Sequence, residues 1–169
     1  ASAGSCEVSV ACSPDYIEQG RPVARLRFVE ASGDAFQCSG TLMNDMASSG
    51  TPYLLTARHC IADQATAATL TTDWLLRASA CGSSTPTAGR AQRTGGATLL
   101  YSNPSTDTTL LRLNDTVPSG VVYAGSYFGA NVVAGTAISD VHQPEGDLQS
   151  VSIGSVIGYS NCTSSLCAD

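Results

Sequence analysis

The sequence predicts an all-β protein built from antiparallel strands in a barrel or sandwich. Three observations carry the prediction. Apolar residues recur in short runs rich in β-branched and aromatic side chains, with no repeat and no sustained helical periodicity. Clusters of Gly, Pro, Asn, Asp and Ser fall between those runs. The 169 residues also carry 16 glycines and 7 cysteines but only 13% charged residues, a composition that fits an exported, disulfide-stabilised β protein.

In order, the runs are PVARLRFVE (22–30), AFQCSGTLM (35–43), PYLLTA (52–57), ATLLYS (97–102), TTLLRL (108–113), GVVYAG (120–125), AISDVHQ (137–143) and LQSVSIG (148–154). The segments ASGD, SSGTP, SNPST, VPSG and PEGD supply the turns between them. Only ADQATAATL (62–70) reads as helix, and its threonines weaken that reading because β-branched side chains lose rotamer freedom against the preceding turn.

Composition also excludes function classes. With 43% hydrophobic residues the chain can fill a core. Eight basic against 14 acidic residues give a net charge of -6, which leaves no basic patch able to neutralise a phosphate backbone, so no nucleic-acid partner is expected. No apolar run approaches the roughly 20 residues that span a bilayer, so no membrane partner is expected either. The chain opens on Ala1 without a start methionine or signal-like segment, and a mature, processed product is expected. The cysteines at 6, 12, 38, 60, 81, 162 and 167 lack the paired spacings of a zinc site. Disulfides are the expectation, with no metal and no cofactor. Seven is odd, so one cysteine is free or pairs outside the chain.

The stretch YLLTARHC (53–60) concentrates the chemistry. Tyr53, Leu54 and Leu55 read as a buried strand, Thr56 and Ala57 allow a tight turn, and one of only two histidines follows beside a cysteine. Taken alone, His59 can also be read as a structural histidine neighbouring a disulfide. A general base needs a carboxylate to hold its tautomer. Asp107 answers to this, 48 residues further on, opening the apolar run TTLLRL. Asp63 is too near His59 in sequence to reach round the ring easily, and Asp73 and Asp115 lack the Asp-x-x-Leu-Leu-x-Leu pattern that Asp107 opens.

LLTARHC together with FQCSGTLMN and DTTLLRL resembles the chymotrypsin-like serine proteases. The resemblance rests on Cys38, Gly40 and Leu42, on Thr56, Ala57, His59 and Cys60, and on Asp107 before Leu110, Leu111 and Leu113. It implies a double antiparallel β-barrel with His59 as catalytic base and Asp107 as its orienting carboxylate. The start SCEVSVACSPD and the segments VVYAGSYFG and VHQPEG are similar to the bacterial lysyl endopeptidase branch, over most of the chain from Cys6 to about Gly154. That branch implies disulfides Cys12–Cys81 and Cys38–Cys60. Cys162 and Cys167 form a local pair by proximity, which leaves Cys6, whose counterpart in the family bonds to the C-terminal part of the protein. The chain departs from animal trypsins in having no Ile-Val-Gly-Gly start.

The family's Gly-x-Ser-Gly nucleophile motif is absent from the sequence, and Ser155 in IGSVIG reads as part of a strand. The expectation is an N-terminal piece of the protease: residues 1–119 a complete first barrel carrying His59 and Asp107, residues 120–169 the beginning of a second, and the serine on a further segment joined through Cys6. His142 reads as structural because no further His or Cys ligand lies nearby, and Trp74 beside two leucines reads as core. Two functions follow. One is a secreted, extracellular bacterial serine endopeptidase acting on protein or peptide substrates, and the other is a non-catalytic homologue or binding fragment that keeps the barrel. All 8 basic residues are arginine, so a lysine-specific enzyme would spare its own copies, although a GC-rich genome would also enrich arginine.

Overall fold

The computed structural model describes residues 7–159. Ten strands are present among the described residues: β1 (Val8–Ser9), β2 (Val23–Val29), β3 (Ala35–Met43), β4 (Tyr53–Ala57), β5 (Thr71–Trp74), β6 (Ala91–Arg93), β7 (Ala97–Asn103), β8 (Thr108–Leu113), β9 (Ala137–His142) and β10 (Ser150–Ser155). Two short helices accompany them, α1 (Ile17–Gly20) and α2 (Gln64–Ala68).

The alternation in VARLRFV shows how sequence becomes sheet. Successive side chains on a strand point to opposite faces. In β2, Ala24, Leu26 and Phe28 therefore turn into the core while Arg25 and Arg27 turn outward. β2 leads a seven-stranded antiparallel sheet in the order β6-β5-β2-β3-β4-β8-β7. Its inward residues Leu26, Leu42, Leu54 and Leu111 are fully buried and meet Ile61, Leu70 and Trp74. Trp74 is core, and its indole N–H donates to Thr72 Oγ1 at 2.8 Å, so the polar end of the ring is satisfied inside. Gly40 in β3 is needed for this packing, because a Cβ there would lie 2.9 Å from the Leu26 side chain.

The first barrel was expected to be complete, but among the described residues β6 and β7 are not laddered together. The sheet curls until these strands are joined by residues 94–96. There the Gly96 amide donates to Leu70 O at 3.2 Å and Gly96 O accepts from Asn114 N at 3.1 Å. Gly96 has φ +70°, and a Cβ would stand 2.4 Å from Ala68 O, so the seam requires glycine. With β6 only three residues long, a closing ladder has little strand to use.

The helix expected over 62–70 is the single turn α2, started by Asp63, whose carboxylate accepts from the Thr66 amide at 2.8 Å. β1, β5 and β6 are too short to stand out in the sequence. The run 120–125 was expected to be a strand and is not. It crosses the first sheet as an irregular strap with one bridge, Ala124 to Met43. Val121 and Tyr123 pack on the first core, and the positive φ of Gly120 interrupts regular pairing.

A second antiparallel sheet has the order β1-β10-β9. The start of the chain thus pairs with residues more than a hundred positions away, Val8 with Val151. Gln149 fastens the two sheets. Fully buried, it accepts from Val10 N through its carbonyl (3.1 Å), donates its amide to Leu76 O (2.9 Å) and donates its side-chain NH₂ to Gly20 O (2.8 Å).

Candidate active site

Strands β4 and β8 run antiparallel with Ala57 opposite Thr108, so the turn after β4 and the residue before β8 meet at one end of the sheet. His59 leaves the first and Asp107 the second. The His59 turn is held from below, where Cys60 N and Ile61 N both donate to Ala57 O at 3.3 Å and Ile61 is fully buried. It is held from the sides as well. The Cys38–Cys60 disulfide ties it to β3, and buried Thr109 donates its hydroxyl to Ile61 O at 2.7 Å. Thr56 anchors the end of β4 by donating to Ser39 O at 2.9 Å. Thr56 carries part of the sequence resemblance, whereas Thr109 shows its role only once β8 is placed.

Asp107 grips the same turn three times. Its Oδ2 lies 2.5 Å from His59 Nδ1, its Oδ1 accepts from the His59 amide at 2.8 Å, and its own carbonyl accepts from the Arg58 amide at 3.0 Å. The backbone adopts φ +46° to do so, a conformation most L-residues avoid and aspartate tolerates better than most. Asp107 is largely enclosed, with 19% of its side chain exposed, while the His59 ring is 51% exposed. Burial pushes the Asp107 carboxyl up, but the hydrogen bonds from the His59 ring and amide, the attraction to His59 and the Arg58 amide outweigh it and hold the group below its ordinary value. An ionised carboxylate only accepts, so Nδ1 carries the proton on the shared edge, and in the neutral form of the ring Nε2 keeps a lone pair. Such a ring can take a proton from a hydroxyl and return it to a leaving group.

The competing acids do other work. Asp63 caps α2, Asp115 accepts from Gly95 N at 2.7 Å, and Asp73 binds arginines on β2. His142 stands apart in the second sheet, with Nε2 3.2 Å from Glu7 Oε2 and Nδ1 3.0 Å from Asp140 Oδ2, and so links β9 to the residue preceding β1. Cys38 Sγ, Cys60 Sγ and a His59 ring nitrogen lie within 4.8 Å of one another. Both sulfurs are spent in the disulfide, and a metal takes the thiolate form, so the cluster does not fit an ion. Cys12 is bonded to Cys81, as the resemblance implied. Cys6, Cys162 and Cys167 lie outside the described residues.

A curled antiparallel sheet that positions a histidine against an aspartate in this order defines a chymotrypsin-like serine protease homologue. Comparison with solved structures agrees at the level of fold. Deg5 superposes with a TM-score of 0.58 over 92% of this chain and 66% of its own, at 16% identity. GrC gives 0.58 over 90% and 65%, also at 16%. The family model for the lysyl endopeptidase C-terminal domain matches residues 1–168, and the chain belongs to the lysyl endopeptidase family. It is 37% identical over 161 residues to lysyl endopeptidase of Pseudomonas aeruginosa PAO1. That match takes in 90% of this chain and 35% of the relative, so the chain spans about a third of the relative's length.

Proposed function

We propose that this chain forms part of a secreted bacterial serine endopeptidase in which His59 is the general base and Asp107 its orienting carboxylate. The observation that carries this reading is the 2.5 Å Nδ1–Oδ2 contact backed by the His59 amide on the second carboxylate oxygen. In the reaction, Nε2 takes the proton from a serine hydroxyl as its oxygen bonds to the peptide carbonyl carbon, and then gives it to the departing amine. Water repeats the sequence on the acyl-enzyme. Asp107 keeps the ring in the right tautomer and stabilises the imidazolium between the two proton transfers.

The serine and its oxyanion hole belong to a downstream segment. This is supported by the absence of Gly-x-Ser-Gly from the 169 residues and by the greater length of the relative. In this reading residues 1–119 form the first barrel and 120–169 open the second, and Cys6 bonds to the C-terminal part of the protein. Substrates are proteins and peptides cut after basic residues, with lysine favoured. The relative's designation and the presence of eight arginines without a lysine support that preference.

The experiment uses the full-length protein. A fluorophosphonate probe that labels a serine in the wild type, with labelling lost in His59→Ala, supports the enzyme. A folded protein that takes no label is a non-catalytic homologue. kcat/KM on matched peptides with lysine, arginine, glutamate or leucine before the scissile bond reads the preference. Arginine cut as fast as lysine sinks the lysine reading, because an ammonium and a guanidinium carry the same charge and only pocket depth and hydration tell them apart.

A further inference from the structure

The outward face of β2 carries a feature with no part in the His59–Asp107 pair. Arg25 and Arg27 project side by side from β2, and Asp73 of β5 stands directly opposite Arg25. Asp73 is 7% exposed and its oxygens are filled. Oδ2 accepts from Arg25 Nε (3.1 Å), Arg25 Nη2 (2.9 Å) and Arg27 Nε (3.0 Å), and Oδ1 accepts from Gln92 Nε2 (2.8 Å). Arg25 spends its remaining nitrogen on Gly146 O at 2.7 Å. Asp73 therefore works as an anchor that orders the guanidinium groups around it.

The anchor does not neutralise them. A cavity of about 420 Å³ opens here, lined by Arg25, Arg27, Asp73, Arg90 and Gln92 with Leu76 and Ala91. Three positive charges face one negative charge. Both Nη atoms of Arg27 and the whole Arg90 guanidinium are without hydrogen-bond acceptors among the described residues. Asp73 is the only carboxylate among the described residues in ion-pair contact with any of the three arginines, although Glu145 and Asp147 flank Gly146. This excess of two positive charges persists in a chain whose net charge is -6.

From this geometry we propose that the Arg27–Arg90 cavity is a binding site for a small tetrahedral dianion, phosphate or sulfate, free or as the end group of a small ester. Planar guanidinium forks match such oxygens two at a time, and the two unfilled charges match a dianion. A polyanion fits less well. It would have to lie along a surface of negative net charge, whereas a dianion enters one cavity where the local charge is positive. The ion binds without any covalent step: it replaces water on Arg27 Nη and Arg90, while Asp73 keeps the Arg27 guanidinium in position.

The test is made on the full-length protein by thermal unfolding and by isothermal titration with sodium phosphate and with sodium sulfate. Both ions are expected to bind saturably and to raise the unfolding temperature, and sodium chloride at matched ionic strength is not. Arg90→Gln is the deciding variant, because Arg90 holds no partner whose loss would disturb the fold. It should weaken phosphate by about tenfold or more, the size of a lost charge-assisted pair. Arg90→Lys should fall between, and Arg112→Gln, an exposed arginine on β8, should leave binding unchanged. Phenyl phosphate binding more tightly than phosphate would assign the site to esters, and weaker binding would assign it to the free ion. An equal shift from chloride, or full binding by Arg90→Gln, overturns the proposal.

Discussion

The two sheets are built from the same kind of alternating strand and end in different states. In the seven-stranded sheet the inward residues of β2, β3, β4 and β8 are sealed, with Leu26, Leu42, Leu54 and Leu111 all at 0% exposure. In the three-stranded sheet, Val151 and Ile153 lie two apart on β10 and so share a face. Val151 is fully buried while Ile153 is 65% exposed. The face is covered at the end where the start of the chain packs and bare at the other. Alternation selects which side chains share a face, but only a second layer turns that face into a core. The His59–Asp107 pair sits on the sealed sheet, where two paired strands, a disulfide and the Thr109 hydroxyl fix its geometry.

The largest expected effect breaks the pair itself. Asp107→Asn in the full-length protein should lower kcat by about 10⁴, as in the template triad, because an amide presents the wrong group to Nδ1. Circular dichroism should stay near wild type, since the pair lies outside the buried core. Near-normal turnover would mean that another carboxylate holds His59.

Next come matched truncations in the two sheets. Leu54→Ala should cost about 2–5 kcal/mol in denaturant unfolding of the full-length protein, the usual range for a sealed leucine. Ile153→Ala sharpens the comparison. If a downstream segment covers the bare end of β10, the loss should exceed about 1 kcal/mol; a change within about 0.5 kcal/mol, the range of an ordinary surface site, would mean that the face stays in water.

The joint between the sheets is a smaller target. Gln149→Ala removes the donor to Gly20 O and leaves that carbonyl enclosed, which should cost about 1–3 kcal/mol. Limited proteolysis should then cut first in the N-terminal segment that carries β1, because the lost side-chain bond to Gly20 O fastens the end of that segment. Unchanged proteolysis would show that β1 pairing alone suffices.

Acid should act most gently, and on the sealed sheet. Burial pushes the Asp73 carboxyl up, yet the bonds from Gln92, Arg25 and Arg27 outweigh it and hold the group below its ordinary value of 3.8. A depressed folded value stabilises the protein above the unfolded value, and that contribution is lost as pH falls below 3.8 through the depressed one. Asp107 adds to the loss in the same direction. The unfolding free energy should therefore drop as pH falls below 3.8, and Asp73→Asn should flatten the drop. An identical slope in the variant would remove Asp73 from the account.

Much of this was written in the chain. Runs of alternating apolar residues announced β2, β3, β4, β7, β8, β9 and β10, because period two is a local property that each strand carries by itself. YLLTARHC and DTTLLRL marked His59 and Asp107, and the resemblance to the lysyl endopeptidase branch implied the two disulfides found among the described residues. The misses have a common cause. β1, β5 and β6 are two to four residues long, too short for a period, and exist because a partner strand lies alongside. GVVYAG has strand composition but lies where its side chains pack on the first core and its backbone makes a single bridge, at Ala124 beside Met43. Composition predicted no basic patch, and the alternation in VARLRFV put two arginines on one face. Only folding brought Asp73 and Arg90 to them, from β5 and from the segment before β6 respectively. Local sequence determined the strands, the motif residues and the sign of the overall charge. The tertiary structure decided which strands meet, which hydroxyl braces the His59 turn and where charge collects, because those depend on groups far apart in the chain whose distances are set only when the sheet curls.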